Sequence, residues 1–195
     1  MLTMIKIKPI TVVLICFVIL QSKAQEISLE TKIKQVKQTV SALLAVKKWD
    51  SVISKPLSES TEGGEARYYY QNKNLKKIIH YQFGETYKAV TEYYLKKEKA
   101  VFIYELLYRY NRPITWDSIV MKENKDDDQV WDLKKVKRYE KRNYFYNNQL
   151  IKQIITTPES TREVTTNLND QRNIILAGFS KLLAIPTNPL QEEKQ

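Results

Sequence analysis

His80 is the only histidine in the chain, and it is the natural starting point for a search for chemistry. An imidazole works as a general base or in a nucleophilic pair only when a carboxylate or hydroxyl is brought to it, and spacing places none there. Serines are plentiful, but no glycine-flanked serine forms the strand-to-helix elbow of a hydrolase. Glu62, Glu65, Glu92, Glu105 and Glu140 are the carboxylates that could pair for glycosidic chemistry, which needs two of them about 5 to 10 Å apart. No spacing selects a pair. Asp126, Asp127 and Asp128 offer oxygen ligands, yet the glycine and the further ligands of a helix-loop-helix calcium site are missing, so a solvated turn is the plainer reading. No cofactor, metal site or catalytic residue is expected, and a hydrolase using His80 ranks behind every binding function.

Tyrosine is the residue type in excess. All thirteen lie between Tyr68 and Tyr146. Their rings can stack on a sugar, a peptide or another flat ligand, and Tyr69, Tyr93, Tyr104 and Tyr144 are the candidate ligand-binding set. The structural alternative is a sheet face broader than its helices, covered by rings apolar at the base and wet at the hydroxyl. On that reading Phe102, Tyr104 and Tyr108 are core, and Tyr69, Tyr93 and Tyr144 reach solvent. Lys134, Lys135, Lys137, Arg138, Lys141 and Arg142 form the densest basic stretch, of which Lys134, Lys135, Lys137 and Arg138 could sit together on a loop near an anionic surface. In the strand that follows, Lys141 points with Asn143 and Arg142 with Tyr144, which divides the charge between faces.

These residues need a scaffold, and residues 67–111 supply its pattern. In 100–111, Phe102, Tyr104, Leu106, Tyr108 and Tyr110 alternate with Glu105 and Arg109; a period of two predicts a strand whose aromatic side is covered. Strands are expected at 67–71, 75–83, 87–96, 100–111, 139–146 and 150–155, with further short ones around 51–54 and 115–122. The intervening turns are short, which favours up-and-down neighbours. On the strand 75–83, His80 shares a face with Ile78 and Gln82. A faint repeat runs through the region: residues 69–78 align without a gap to 145–154, and 93–103 align with one inserted residue.

Residues 26–49 carry Ile33, Val36, Val40, Leu43 and Leu44 at helical spacing, with Ser28, Glu26 and Glu30 at the start. Near the other end, Ile174, Ile175, Gly178, Phe179, Leu182 and Leu183 share a helical face over about 170–184, with Asn169 as cap and Pro186 as stop. The fold class is therefore α+β: a single curved antiparallel sheet of six or seven strands (67–155), covered by an N-terminal and a C-terminal helix.

Residues 1–24 read as a signal peptide, with Lys6 and Lys8 before an apolar run and Ser22 and Ala24 before the cleavage point; an uncleaved anchor is the alternative. Cys16 lies within the apolar run, whereas a lipoprotein cysteine would close it. The remaining 171 residues suit one domain (25–195). That domain has no cysteine, which excludes disulfides, thiol nucleophiles and thiolate-held metals. Loss of Lys6, Lys8 and Lys23 takes the net charge from +10 to +7. The address is periplasmic or secreted, so nucleic acid is not an expected partner; an envelope protein, a glycan or anionic lipid is. No transmembrane segment is expected after cleavage, and the oligomeric state is left open.

The units Glu92-Tyr93-Tyr94-Leu95 and Tyr144-Phe145-Tyr146-Asn147-Asn148-Gln149-Leu150 give the chain a texture that resembles uncharacterised small exported proteins of the Bacteroidetes type with a tyrosine-rich hairpin meander. It is also similar to short tyrosine-rich hairpin repeats with a glycine in the turn, although the turn residue here is mostly Asn or Lys. The resemblance implies an envelope location and a sheet, and it supplies no activity. The function expected is that of an exported, non-enzymatic protein that binds a macromolecular partner through a sheet face or edge. The alternative is a glycan- or lipid-binding module with a tyrosine-lined cavity.

Overall fold

The computed structural model describes residues 27–123 and 129–187. The leader, Asp126 to Asp128 and the tail beyond Thr187 lie outside the described residues. Eight antiparallel strands form one sheet in strict chain order: β1 (Ser51–Leu57), β2 (Gly64–Gln71), β3 (Asn74–Gly84), β4 (Tyr87–Lys96), β5 (Lys99–Arg109), β6 (Lys137–Tyr146), β7 (Gln149–Thr156) and β8 (Thr161–Val164). Among the described residues three helices accompany it: α1 (Leu29–Leu44), α2 (Ser118–Glu123) and α3 (Leu168–Leu183). The α+β class with a single sheet is as expected, but the strand count is eight and the sheet runs beyond 67–155 at both ends.

Three of the hairpins repeat one design. The central residues Asn72-Lys73, Lys97-Glu98 and Asn147-Asn148 all have positive φ, between 49° and 61°. Two-residue loops of this sort match the right-handed twist of the strands they join. Before each loop the register slips, at Tyr69/Tyr70, Tyr94/Leu95 and Tyr144/Phe145. The three units therefore superpose as YYQNKNL, YLKKEKA and YFYNNQL with no insertion. This corrects the sequence alignment by one residue, a slip that in a sheet exchanges the faces.

The register builds a row of directly opposed residues across all eight strands: Ile53, Tyr68, Ile78, Tyr93, Ile103, Asn143, Gln153 and Val164. All but Val164 are buried. Helix α3 lies on this face. Its Phe179 and Leu182 join Ile53, Tyr68, Ile78, Tyr93 and Ile103 in one apolar cluster, and the Tyr68 hydroxyl donates to the Leu182 carbonyl at 2.9 Å. Ile174 and Leu183, expected on the buried stripe, are exposed. The helix begins at Asn167, in a left-handed conformation, and Asn169 sits inside its first turn.

The N-terminal helix departs further from expectation. Ser28 caps it, accepting from the Thr31 amide at 3.2 Å. The helix meets the turn end of β4, β5 and β6, and of its stripe only Val36 is buried; Leu44 is 63% exposed. Val36 is not part of the α3 cluster. The segment 115–122, expected to be a strand, contains α2 instead. Asp117 Oδ1 accepts from the Ile119 and Val120 amides at 2.8 and 3.1 Å, and this cap overrides the β-branched residues that follow it. No described helix is long and apolar enough to cross a membrane.

Candidate functional site

Alternation along each strand fixes what the second face carries. One row across it reads Val52, Tyr69, Lys77, Tyr94, Phe102, Tyr144 and Lys152, and the next reads Ser54, Arg67, Ile79, Glu92, Tyr104, Arg142, Ile154 and Glu163. Tyr94, Phe102 and Tyr144 form an aromatic ladder, with ring centroids 5.9 and 4.9 Å apart. Such pairs add to the area they bury. Lys77 Nζ lies 2.7 Å from Glu92 and sits over the rings of Tyr94 and Tyr69, at 4.9 and 5.9 Å. The Tyr94 hydroxyl donates to the same carboxylate. Burial, then the adjoining Glu92, pushes the Tyr94 hydroxyl well above the ordinary tyrosine range.

Further along this face Arg138 donates to the Tyr104 hydroxyl at 3.2 Å and pairs with Glu140 at 2.8 Å, while Arg67 pairs with Glu65 at 2.8 Å and lies 5.1 Å from the Tyr81 ring centroid. Arg142 donates to Thr156 at 3.1 Å, and Lys152 pairs with Glu163. The surface combines the buried Tyr94 and Tyr144 and the half-exposed Tyr69, Phe102 and Tyr104 with cations already matched to carboxylates.

The sequence-derived binding set is thereby divided. Tyr69, Tyr104 and Tyr144 belong to this second face, whereas Tyr93 points the other way, under Phe179. The four do not line one cavity. The expected burials are also reversed: Tyr93 and Tyr144 are buried, and Phe102, Tyr104 and Tyr108 are only half-buried. Tyr93 is buried because α3 packs on the Ile53–Ile78–Ile103 side that carries it, whereas Tyr144 is buried on the second face, where it packs against Phe102. The basic run is split as well. Lys134 and Lys135 lie on a short 3-10 turn, Lys137 and Arg138 alternate to opposite faces at the start of β6, and Arg138 is committed to Glu140.

On the α3 face, one row beyond the apolar core, the register gives Ala66, His80, Thr91, Glu105 and Lys141. Here a cavity of about 210 Å³ opens between α3 and the sheet, bordered by Glu59, His80, Gln82, Thr91, Tyr93 and Lys181. His80 is 8% exposed, and its Nε2 has no hydrogen-bond partner among the described residues. A Glu59 carboxylate oxygen lies 3.8 Å from that nitrogen, beyond hydrogen-bonding reach. Burial holds the imidazole below its ordinary pKa, and Glu59 opposes this only in part, so the ring is neutral at pH 7. Burial, with Glu105 and Glu59 nearby, raises the Tyr93 hydroxyl.

Beside the cavity, Asn143 donates to the Ile103 carbonyl at 3.1 Å and to Glu105 Oε1 at 2.8 Å, and accepts from Gln153 Nε2 at 2.7 Å. Sequence reasoning found His80 and its facing but missed Glu59, Thr91 and Lys181. Thr91 could have been reached by counting back from the two-residue turn that pairs Gly84 with Tyr87. Glu59 and Lys181 come from a loop and a helix that only tertiary folding brings together. Among the described residues no cluster of His, Cys, Asp and Glu is fit to hold a metal. No protein-family model, curated protein or solved structure matches the chain.

Proposed function

We propose that this is an exported, non-enzymatic binding protein that engages an envelope protein through the second face of its sheet. One observation supports the reading above others. The face opposite α3 carries half-exposed rings at Tyr69, Tyr81, Phe102 and Tyr104, beside the buried Tyr94 and Tyr144 and interleaved with arginines held by carboxylates. Tyr, Phe and Arg are the residue types enriched at protein interfaces, and the arginines here are already held in place by their carboxylates, so less side-chain freedom is lost when the face is covered. A shallow surface of this kind suits a macromolecule better than a small ligand. The tyrosine-lined glycan or lipid cavity has less support, because Tyr93 faces away from Tyr69, Tyr104 and Tyr144.

His80 would need a carboxylate or hydroxyl in hydrogen-bonding reach to act as a base, and the 3.8 Å to Glu59 does not provide it. The test is co-isolation from an envelope extract with purified protein as bait, comparing the parent with Tyr104→Ala and with Ile174→Ala on the exposed side of α3. A partner retained by the parent and by Ile174→Ala, and lost with Tyr104→Ala, is the expected result. Equal retention by all three overturns the assignment of the face.

A further inference from the structure

The cavity under α3 is separate from the proposed interface and has a chemistry of its own. We propose that it is a binding site for a small, uncharged, polyhydroxylated compound of about the size of a hexose, with His80 Nε2 as the central hydrogen-bonding group. The geometry leads there in three steps. First, a cavity of about 210 Å³ equals the liquid volume of about seven waters, and covalently joined atoms pack closer, which makes room for roughly ten to twelve non-hydrogen atoms, the twelve of a hexose being the upper end. Second, a polar nitrogen more than nine-tenths buried and without a partner costs free energy unless something comes to meet it. It borders this cavity, so an occupant can supply the missing bond.

Third, the groups around the cavity select a class. The imidazole, the Thr91 hydroxyl and the Gln82 amide each both donate and accept, as a sugar hydroxyl does, and none adds a net charge. Glu59 and Lys181, of opposite sign, are the charged residues on the border and cancel. An ion would enter a space with no net counter-charge, whereas a polyol exchanges water for like partners. Access is also built in. Gly178 stands on the helix side of the cavity, and a Cβ there would meet nothing within 4 Å.

Because His80 is the only histidine, an untagged sample gives a single imidazole Cε1–H signal that reports on this site alone. The experiment titrates purified protein with glucose, galactose and N-acetylglucosamine, and with glycine, acetate and inorganic phosphate as charged probes. A saturable shift with at least one sugar and none with the charged probes is expected. Gly178→Leu, which projects into the open space, should weaken that binding at least tenfold without lowering the melting temperature. Thr91→Val, which keeps shape and removes one hydroxyl, should weaken it several-fold if the first variant misfolds. No shift with any sugar, a shift only with charged probes, or unchanged binding in a folded Gly178→Leu or Thr91→Val protein overturns the proposal. None of these outcomes bears on Tyr104 and the opposite face.

Discussion

Tyr93 and Phe179 lie nearly parallel, ring centroids 5.4 Å apart and planes inclined by 22°, and this stack ties α3 to the middle of the sheet. Both are buried. Phe179→Ala should cost about 3–5 kcal/mol, the range for removing a buried ring. Phe102→Ala on the second face, where the ring is half-buried, should cost clearly less. Urea unfolding of the two variants checks the order, and a larger loss at Phe102 would mean that the core has been placed on the wrong face.

The row of core residues is apolar except at Asn143 and Gln153, which answer each other through the 2.7 Å bond. Asn143→Ala leaves the Gln153 amide without that acceptor inside the sheet and should destabilise by about 1–3 kcal/mol. Replacing both residues with leucine removes the Asn143–Gln153 bond with both its partners, although Glu105 still loses its donor, so the double variant should lose less than Asn143→Leu and Gln153→Leu combined. A double-mutant cycle by chemical denaturation measures the difference.

Lys97 and Glu98 occupy positive-φ positions that the other tight hairpins give mostly to asparagine. Left-handed backbone costs an ordinary side chain about 1 kcal/mol or more, and Asn-Gly is the preferred pair for such a loop. Lys97→Asn combined with Glu98→Gly should therefore raise stability by about 1 kcal/mol, read as a higher melting temperature. Asn148→Gly, which starts from a tolerated residue, should gain less.

The sequence made the meander legible because turn chemistry and the period of two are local. Turn residues and alternation locate β4 at its observed bounds, and β3 and β5 within two residues of theirs. Which side of β5 is buried was not legible. Phe102, Tyr104, Leu106 and Tyr108 outnumber Val101, Ile103 and Leu107 as apolar residues, yet α3 packs over Ile103, and alternation alone carries no information about where a helix lands. Strand β8 escaped notice because Thr161 to Val164 is short and charged, and its pairing is set by β7. The cavity was half legible: His80 and Gln82 share a face by counting, while Glu59 and Lys181 join them only through the packing of α3.

Burial of His80 makes stability depend on pH in a stated direction. Its folded pKa lies below the ordinary value of 6.5, so the unfolded chain binds the proton more readily. The contribution is fully present above pH 6.5 and is lost as pH falls through the folded value. The groups around the ring are Glu59 from the β1–β2 loop, Tyr93 from β4 and Lys181 from α3; of these Glu59 moderates the shift. Melting temperatures between pH 7.5 and 5 should fall more steeply for the parent than for His80→Asn. Parallel curves would show that the imidazole is not desolvated.

The most direct test of the binding account is a photo-crosslinking amino acid placed singly at Tyr104, on the second face, and at Ile174, on the outer side of α3, in cells making the protein. One crosslinked product of defined mass is expected from position 104, absent from position 174 and competed away by excess unlabelled protein. Crosslinks from position 174 alone, or the same products from both positions, would contradict it.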